Sequence, residues 1–365
     1  ARGVAARMAV LTFASFPARI SSFQPLACRR FWSPRPAVLL SSLSSLSSYP
    51  SFRSFSFVCP HAPVQARTCP LQFAFRCPNK ATTQQVVTSI RRGPKSCNSA
   101  RNLAMSAESS RLQVEQFPCL NDNYGYLIHE PSSGLTAAID TPELKPYIHV
   151  LERKGWKLDY ILNTHHHFDH AGSNLELKKL TGCKIVGPKG EQDKIPGIDI
   201  AVDQGDVFEF GQKKIRVLNV GGHTMGHIAY YLPDENCAFV GDSLFALGCG
   251  RLFEGTFPQM FESLQRLASL PDDTVLYCAH EYTMSNAKFA LSVEPGNPML
   301  QERFEQIKKL REVGNPTVPS LLSVEKATNP FLRTGSSEIR KSLNLPPDAR
   351  DVDVFAAIRK AKDNF

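Results

Sequence analysis

Acidic residues are missing from the first 107 positions of this 365-residue chain, which hold 12 Arg and 2 Lys before the first acid at Glu108. The 42 basic residues of the whole chain less these 14 leave 28 against all 34 acidic residues, so residues 108–365 carry a net charge of −6. The formal charge of +8 therefore arises in the front segment alone. A body of net negative charge has no overall attraction for phosphate backbones, which argues against a nucleic-acid partner.

The chain also lacks long apolar runs, and the number of cysteines in its body is odd. No uncharged apolar stretch approaches the ~18–20 residues that a membrane-spanning helix needs, which argues against a membrane partner. Five of the ten cysteines lie in the front segment, and the five that remain in the body are widely spaced. An odd number at such spacing predicts reduced thiols rather than a disulfide framework.

The front segment, residues 1–107, has a composition unlike that of a folded domain. It is rich in Arg, Ser and Pro, and its apolar residues follow no sustained periodicity. This composition is typical of an organelle transit peptide, so we predict a disordered, removable targeting sequence. A disordered basic tail and normally untranslated upstream sequence are the alternatives, and Met105 is a candidate start for a shorter cytosolic form.

The body alternates strand-like and helix-like stretches, which predicts a mixed α/β domain over residues 111–280 followed by helices over residues 281–365. Strands are predicted where short apolar runs lie between turn residues, and helices where apolar residues recur every three or four positions. Gly155 and Gly182 stand where two of the helices should end. The predicted strands are 124–129, 136–139, 158–162, 184–186, 207–210, 214–219, 227–232, 237–240 and 274–278. The predicted helices are centred on 144–151, 175–180, 261–267, 304–310 and 354–358.

Four histidines and an aspartate crowd into residues 165–170, just after a predicted strand. On an extended or turning backbone alternate residues share a side, so His165 and His167 are able to converge on one ion. Asp169 and His170 then face away from that pair and are available to a second ion. His166 points opposite to its neighbours and is predicted to take no part.

Three further candidate ligands follow later strands: His223 within 221–227, Asp242 within 239–243 and His280 within 278–282. Open α/β sheets usually bind ligands at the carboxyl ends of their strands. Together with the first motif they supply five His and two Asp, which suits two divalent ions with one bridging carboxylate. Mixed nitrogen and oxygen donors favour zinc, iron or manganese over magnesium or calcium.

The ordered set His165-x-His167-x-Asp169-His170, His223, Asp242 and His280 resembles the metal signature of the metallo-β-lactamase superfamily. Within it, residues 248–256, 280–283 and 329–333 are similar to those of the glyoxalase II family of hydroxyacylglutathione hydrolases. The closing residues 358–363 are similar to the plant organellar branch of that family. The similarity covers residues 112–365.

The resemblance implies a fold and a set of roles. The fold is an αββα sandwich that carries the metals, followed by a C-terminal helical domain that covers the substrate. One metal is assigned to His165, His167 and His223, and the other to Asp169, His170 and His280, with Asp242 bridging. The substrate contacts implied are Arg251, where Lys is more usual, Phe253, where some members have Tyr, Tyr282 and Arg333. Asp169 and Asp242 are the residues of the chain assigned to catalysis.

The resemblance also implies the reaction. Two adjacent dications lower the pKa of a shared water, and the resulting hydroxide attacks the thioester of S-D-lactoylglutathione to give D-lactate and glutathione. This is the last step of methylglyoxal detoxification. Asp169 as a free general base is the alternative, although a metal ligand does not easily take that second role. A monomer is expected, and the organellar likeness favours the mitochondrion, with the chloroplast second.

Three rival functions are considered. A persulfide dioxygenase of the same superfamily would use one iron and similar histidines, but that class lacks the Arg251 segment and the helical appendix. The negative body argues against a nuclease. A complete ligand set argues against a paralogue without activity.

Overall fold

A computed structural model describes residues 111–365. The predicted transit peptide, residues 1–107, lies outside the described residues. The body contains short strands and short helices in alternation, as expected from the sequence. In chain order the strands are β1 (Gln113–Cys119), β2 (Asn123–Glu130), β3 (Leu135–Ile139), β4 (Tyr160–Leu162), β5 (Lys184–Pro188), β6 (Ile200–Val202), β7 (Val207–Phe210), β8 (Lys213–Asn219), β9 (Ile228–Leu232), β10 (Cys237–Gly241), β11 (Leu244–Phe245), β12 (Gly248–Cys249), β13 (Val275–Cys278) and β14 (Ser320–Leu321).

The helices lie mainly in the second half of the described chain. They are α1 (Leu144–Lys154), α2 (Phe168–Ala171), α3 (Asn174–Thr181), α4 (Phe257–Ala268), α5 (Thr283–Val293), α6 (Pro298–Glu312), α7 (Leu322–Thr328), α8 (Ser337–Ser342) and α9 (Asp351–Asp363). The two predicted glycine stops are confirmed. Gly155 and Gly182 follow α1 and α3 in the left-handed conformation, with φ of 67° and 74°, which glycine adopts without steric cost.

Two six-stranded sheets form the centre of the molecule. One has the order β1-β2-β3-β4-β5-β6, and the other has the order β14-β13-β10-β9-β8-β7. The inner faces bury large apolar side chains such as Ile128, Phe210 and Phe239 in one core cluster. Tyr147 of α1 and Leu177 of α3 pack with Ile161 in a second cluster on the outer side of the first sheet. Helices α4 and α9 contact each other and add their buried side chains to the first cluster. The predicted αββα sandwich followed by a helical region is confirmed.

Five strands are absent from the sequence prediction: β1, β6, β11, β12 and β14. Strands β6, β11 and β12 are only two or three residues long, which is too short to show an alternating pattern. Strand β1 was not predicted, because only Phe117 and Cys119 are buried in it and Pro118 interrupts the pattern. The prediction that residues beyond 280 form helices only is wrong in one place. Ser320 and Leu321 pair with Leu276 and Val275 of β13, which adds an edge strand to the second sheet. A two-residue strand has no periodicity to detect in a sequence, so only its partner reveals it.

Two features of the described residues concern membrane-spanning helices and disulfides. No helix within residues 111–365 is both long enough and apolar enough to cross a membrane. The five cysteines of this range are all buried and none forms a disulfide. Burial raises the pKa of the Cys237 and Cys278 thiols to about 12, so these groups stay protonated and act as small core residues.

Candidate functional site

The candidate ligands come together at one end of the sandwich, where four strands terminate. His165, His167, Asp169 and His170 follow β4, His223 follows β8, Asp242 follows β10 and His280 follows β13. Strands β10 and β13 are parallel neighbours, so their carboxyl ends lie side by side. Strand β4 belongs to the facing sheet, so the segments that follow β4, β8, β10 and β13 meet at the same end of the sandwich.

The first group of candidate ligands consists of His165, His167 and His223. Their ring nitrogens converge: His167 Nδ1 lies 3.1 Å from His165 Nε2 and 3.0 Å from His223 Nε2. Burial lowers the pKa of all three imidazoles, which keeps them neutral near pH 7. Three neutral imidazole nitrogens at this spacing suit a transition-metal ion.

The second group consists of Asp169, His170 and His280. His280 Nε2 lies 3.4 Å from Asp169 Oδ2, and His170 Nε2 lies 3.6 Å from the same oxygen. Burial alone would lower the pKa of both imidazoles. The Asp242 carboxylate outweighs burial together with Asp140 at His170 and together with Asp169 and Asp122 at His280, and raises the pKa to about 10 for His170 and about 11 for His280. Positive charge is therefore favoured at this point of the structure.

Asp242 lies between the two groups and is within reach of both. Its Oδ2 is 3.4 Å from His223 Nε2, and its Oδ1 is 3.4 Å from His170 Nε2 and 3.3 Å from His280 Nε2. Burial would raise the pKa of this carboxyl, but His280 and His170 hold it well below its usual range. A carboxylate with one oxygen on each side has the geometry of a bridging ligand.

Two buried polar atoms without a hydrogen-bond partner indicate whether the residues present fit metal ions. His170 Nε2 and Asp242 Oδ1 are fully buried, face each other and have no hydrogen-bond partner within residues 111–365. Buried polar atoms in folded proteins are almost always paired, so a pair left without partners needs an explanation. A divalent ion between these donors satisfies them, and we conclude that the residues present fit such a group.

The orientation of the histidines supports the same conclusion. His170 Nδ1 donates to Asp140 at 2.8 Å, His280 Nδ1 to Asp122 at 2.9 Å and His223 Nδ1 to the Arg251 carbonyl at 2.7 Å. Each of these rings therefore turns Nε2 toward the centre. Metal-binding histidines almost always donate their other N–H to a carboxylate or a carbonyl in this way.

A cavity of about 500 Å³ is lined by members of both groups and by three cationic side chains. The candidate ligands among its lining residues are His167, Asp169, His223, Asp242 and His280. The cations are Arg251, Arg359 and Lys362, and Asp363 lies among the same lining residues. An anion that carries a reactive group suits this combination of candidate ligands and cations.

Three of the four predicted substrate contacts line this cavity. Tyr282 stacks on the His280 ring at 4.7 Å between centroids, and burial raises its pKa, so its phenol remains a proton donor. Arg251 is two-thirds exposed, and Phe253 lies with its ring 5.1 Å from that of His223. A Cβ at Gly250 would lie 2.0 Å from the Asp242 carbonyl oxygen, so only glycine lets the chain return this close before Arg251.

The fourth predicted contact, Arg333, lies elsewhere, and this assignment is corrected. Its Nε and Nη2 each donate to the Glu294 carboxylate at 2.7 Å, and the side chain does not line the cavity. Glu294 is buried, so its charge requires this partner. Asn329 of the same segment donates to the carbonyls of Phe245 and Gly248, which places residues 329–333 against the β11–β12 hairpin instead.

Sequence reasoning missed the cations that α9 brings to the cavity. Arg359 and Lys362 are three residues apart and therefore share a helix face. Arg359 donates to the Cys249 carbonyl at 2.9 Å and to Asp363 Oδ1 through Nε and Nη2. The spacing was visible in the sequence, but nothing local showed that this face meets the cavity.

Comparisons with known proteins divide the described chain into the same two parts. The family model described as metallo-beta-lactamase superfamily matches residues 133–280, and the model described as hydroxyacylglutathione hydrolase C-terminus matches residues 281–365. A hydroxyacylglutathione hydrolase of Methylococcus capsulatus is 54% identical over 254 residues, covering 70% of this chain and 99% of that protein. A hydroxyacylglutathione hydrolase of Brucella anthropi is 53% identical over 261 residues, covering 72% of this chain and 100% of that protein.

Among solved structures, the crystal structure of ETHE1 from Myxococcus xanthus is 26% identical to this chain, with a TM-score of 0.48. That match covers 68% of this chain and 99% of the solved one.

Proposed function

The chain belongs to the hydroxyacylglutathione hydrolase family of the metallo-β-lactamase superfamily, and we propose from this premise how its cavity works. The enzyme is a thioester hydrolase that cleaves S-(2-hydroxyacyl)glutathione to a 2-hydroxy acid and glutathione. We propose S-D-lactoylglutathione as the substrate. The observation that supports this most is that a single cavity is lined both by members of the two ligand groups and by three cations.

We propose that two divalent transition-metal ions are held by the two groups. His165, His167 and His223 would hold one ion, Asp169, His170 and His280 the other, and Asp242 would contact both. Such ions supply an activated water near neutral pH and polarise a carbonyl oxygen. The imidazole and carboxylate donors favour zinc, iron or manganese. Asp169 and Asp242 would serve as ligands in this arrangement, so Asp169 would not also be free to act as a general base.

The remaining residues of the cavity hold the glutathione part of the substrate. Its carboxylates meet Arg251, Arg359 and Lys362, and the Tyr282 hydroxyl donates a hydrogen bond. In the reaction a C–O bond forms as water adds to the acyl carbon and the C–S bond breaks. The thiolate of glutathione leaves with the electron pair and needs little protonation, so the chain has no need of a strong general acid at this point.

An assay on the purified protein tests the proposed function. We expect loss of S-D-lactoylglutathione together with release of one free thiol per thioester cleaved, and close to two transition-metal ions per chain. Asp242→Asn should reduce both metal content and hydrolysis to background, whereas Asp203→Asn, an exposed carboxylate in the turn after β6, should leave both unchanged. Oxygen consumption with glutathione persulfide, without thioester cleavage, would instead support the dioxygenase alternative.

We propose that residues 1–107 direct the protein to the mitochondrion, with the chloroplast as the second choice. The absence of acidic residues from this segment supports a targeting role. A fluorescent protein fused behind residues 1–110 should enter mitochondria, and a diffuse cytosolic signal would contradict the proposal. Translation from Met105 would yield a cytosolic form.

We also propose that the enzyme acts as a monomer. Both ligand groups and all three cations of the cavity come from a single chain, so the site is complete without a partner copy. Light scattering on the purified protein should give the mass of one chain, and twice that mass would contradict the proposal.

A further inference from the structure

Glu191 is a buried carboxylate outside the ligand groups, and its side chain is only 1% exposed. It ends the 3₁₀ turn Lys189–Glu191 that follows β5. Burying a charge is costly unless hydrogen bonds compensate for it. Glu191 accepts three: Oε2 from the His166 backbone N–H and from His166 Nδ1, both at 2.8 Å, and Oε1 from the Gly226 N–H at 2.9 Å.

The donors to Glu191 come from the two segments that carry the first group. His166 lies between His165 and His167, and Gly226 lies three residues after His223. One carboxylate therefore joins the two segments whose imidazoles meet at 3.0 Å. The approach is close, because a Cβ at Gly226 would lie 2.6 Å from Glu191 Cγ. Only glycine allows this contact.

A second carboxylate completes the connection from the other side of His166. Glu254 Oε2 accepts from the Met225 N–H at 2.9 Å, and Glu254 Oε1 lies 3.6 Å from His166 Nε2. Lys194 donates to the same Oε1 at 2.8 Å. The His166 ring therefore stands between two carboxylates, each of which also holds the loop that follows His223.

We propose that Glu191 is a positioning residue that sets the spacing of the first group, with His166 as the side chain through which it acts. His166 points away from the candidate ligands, as its place in the motif predicts, but its ring donates a hydrogen bond to Glu191. By fixing His166 and Gly226 to the same carboxylate, Glu191 holds His165 and His167 at the correct distance from His223. This inference rests on the proposed function, because it assigns a role relative to the metal ion of the first group.

Glu191→Gln separates a positioning role from simple support of the fold. The two oxygens of Glu191 accept hydrogen bonds from three N–H groups. Glutamine has the same size, but its amide NH₂ is a donor and would face one of these N–H groups, so at least one hydrogen bond is lost. Glu130→Gln is the matched control. Glu130 is also fully buried and accepts two backbone N–H groups, from Ser132 and Ser133, but it contacts neither ligand segment.

The experiment measures stepwise zinc affinity on metal-free full-length protein by competition with a chromophoric chelator, together with the thermal midpoint. For Glu191→Gln we expect one of the two ions to bind about 10- to 100-fold more weakly, in line with the loss of other residues that orient ligands. The second ion should be unaffected. Glu130→Gln should lower the thermal midpoint and leave both affinities at wild-type values. His166→Asn serves as a second variant if Glu191→Gln does not fold, and the same single step should weaken.

Single-site backgrounds identify which ion responds. In His280→Ala protein, where the second group is incomplete, Glu191→Gln should weaken the ion that still binds. In His167→Ala protein it should have no effect. Wild-type affinity for both ions in Glu191→Gln, equal weakening of both, or the same change in Glu130→Gln would overturn the inference. Failure of the wild-type protein to cleave thioesters while these metal results hold would reject the proposed function alone.

Discussion

At the scale of single residues, the site shows how a side chain acquires its orientation from a second partner. Asp140 accepts Thr164 Oγ1–H and His170 Nδ1–H on the same Oδ2, both at 2.8 Å, so one carboxylate orients a ring and fixes the turn before it. Because that threonine hydroxyl donates to Asp140, its oxygen is free to accept from His165 Nδ1 at 3.0 Å. Both imidazoles are thus left with Nε2 facing inward.

Arg251 and Arg333, the two arginines that the resemblance assigned to the substrate, should differ when each is replaced: the first change should affect KM and the second the free energy of unfolding. Arg251→Ala should raise KM for S-D-lactoylglutathione about tenfold with little change in kcat or metal content, because a charged contact to the remote tail contributes uniform binding.

Arg333→Ala should leave KM unchanged and lower the free energy of unfolding by about 2–3 kcal/mol, since it leaves the buried Glu294 without its partner. Steady-state kinetics and urea unfolding measure both effects. A raised KM in Arg333→Ala with normal stability would show that Arg333 contacts the substrate.

The pair formed by Glu294 and Arg333 also predicts a dependence of stability on pH. Burial alone would raise the pKa of Glu294, but hydrogen bonds from Arg333, Ser336 and Asn297 outweigh it and lower the pKa below the usual 4.5. A carboxyl with a depressed folded pKa stabilises the fold above its unfolded pKa, and this contribution is lost as the pH falls through the folded pKa. The difference in unfolding free energy between wild type and Glu294→Gln should therefore be constant from pH 7 to about 5 and shrink below pH 4.5. A difference that does not change with pH would rule out this linkage.

At the scale of elements, the helical region contributes to the cavity by holding a hairpin as well as by supplying cations. Asn329, which is fully buried, donates to the carbonyls of Phe245 and Gly248 on either side of the turn between β11 and β12. Helix α9 reaches the end of the same hairpin, where Arg359 donates to the Cys249 carbonyl. The backbone that leads to Arg251 is therefore held by residues about 80 and 110 positions away in the chain.

Asn329→Ala should disturb substrate binding through this hairpin. Its removal deletes two buried hydrogen bonds to the hairpin carbonyls, which should lower the free energy of unfolding by about 2–3 kcal/mol. KM should also rise several-fold, because the backbone before Arg251 loses its support. Asn297→Ala is the control, since that asparagine is also buried and caps α6 but does not contact the hairpin. Stability should fall in both variants and KM should rise in the first only; an equal rise in both would show a general loosening of the helical region.

At the scale of the whole molecule, the placement of charge matches the tasks of its parts. The body as a whole is negative, with a net charge of −6 over residues 108–365, while three cations line the cavity. These cations attract an anionic substrate to the cavity although the net charge of the body is of the same sign as the substrate. The ligand groups join both sheets, so ions bound there would hold β4 of one sheet to β8, β10 and β13 of the other.

Metal removal should consequently lower the stability of the whole fold as well as abolish activity. A ligand present at about 100 times its Kd stabilises the folded state by about 2.7 kcal/mol, and two ions that bridge the sheets should give at least this effect. Chelation should lower the thermal midpoint of the wild-type protein, and added zinc should restore it. Asp242→Asn protein should respond weakly to either treatment. An unchanged midpoint after complete removal of the metals would show that the groups do not support the sandwich.

The sequence alone determined most of the order of strands and helices and the candidate ligands, while the sandwich class followed from the family resemblance. The order of elements and the ligands are local features: apolar periodicity reports which face of an element is buried, and the ligands lie in short motifs that directly follow strands. The structure brings His165, His167 and His223 together, and likewise Asp169, His170 and His280, around Asp242. Their adjacency in the chain and their place at strand ends predicted a shared site, and the family resemblance implied how the residues divide between the two groups.

The tertiary structure decided which cations line the cavity and what His166 contacts. Arg333 and Arg359 are both arginines in the helical region, and no local pattern shows that Glu294 takes one while the cavity receives the other. Glu191 lies 25 residues from His166 and 35 from Gly226, in a turn with no motif of its own. The partner of a buried charge is set by which segments the fold packs together, and that depends on contacts far apart in the sequence.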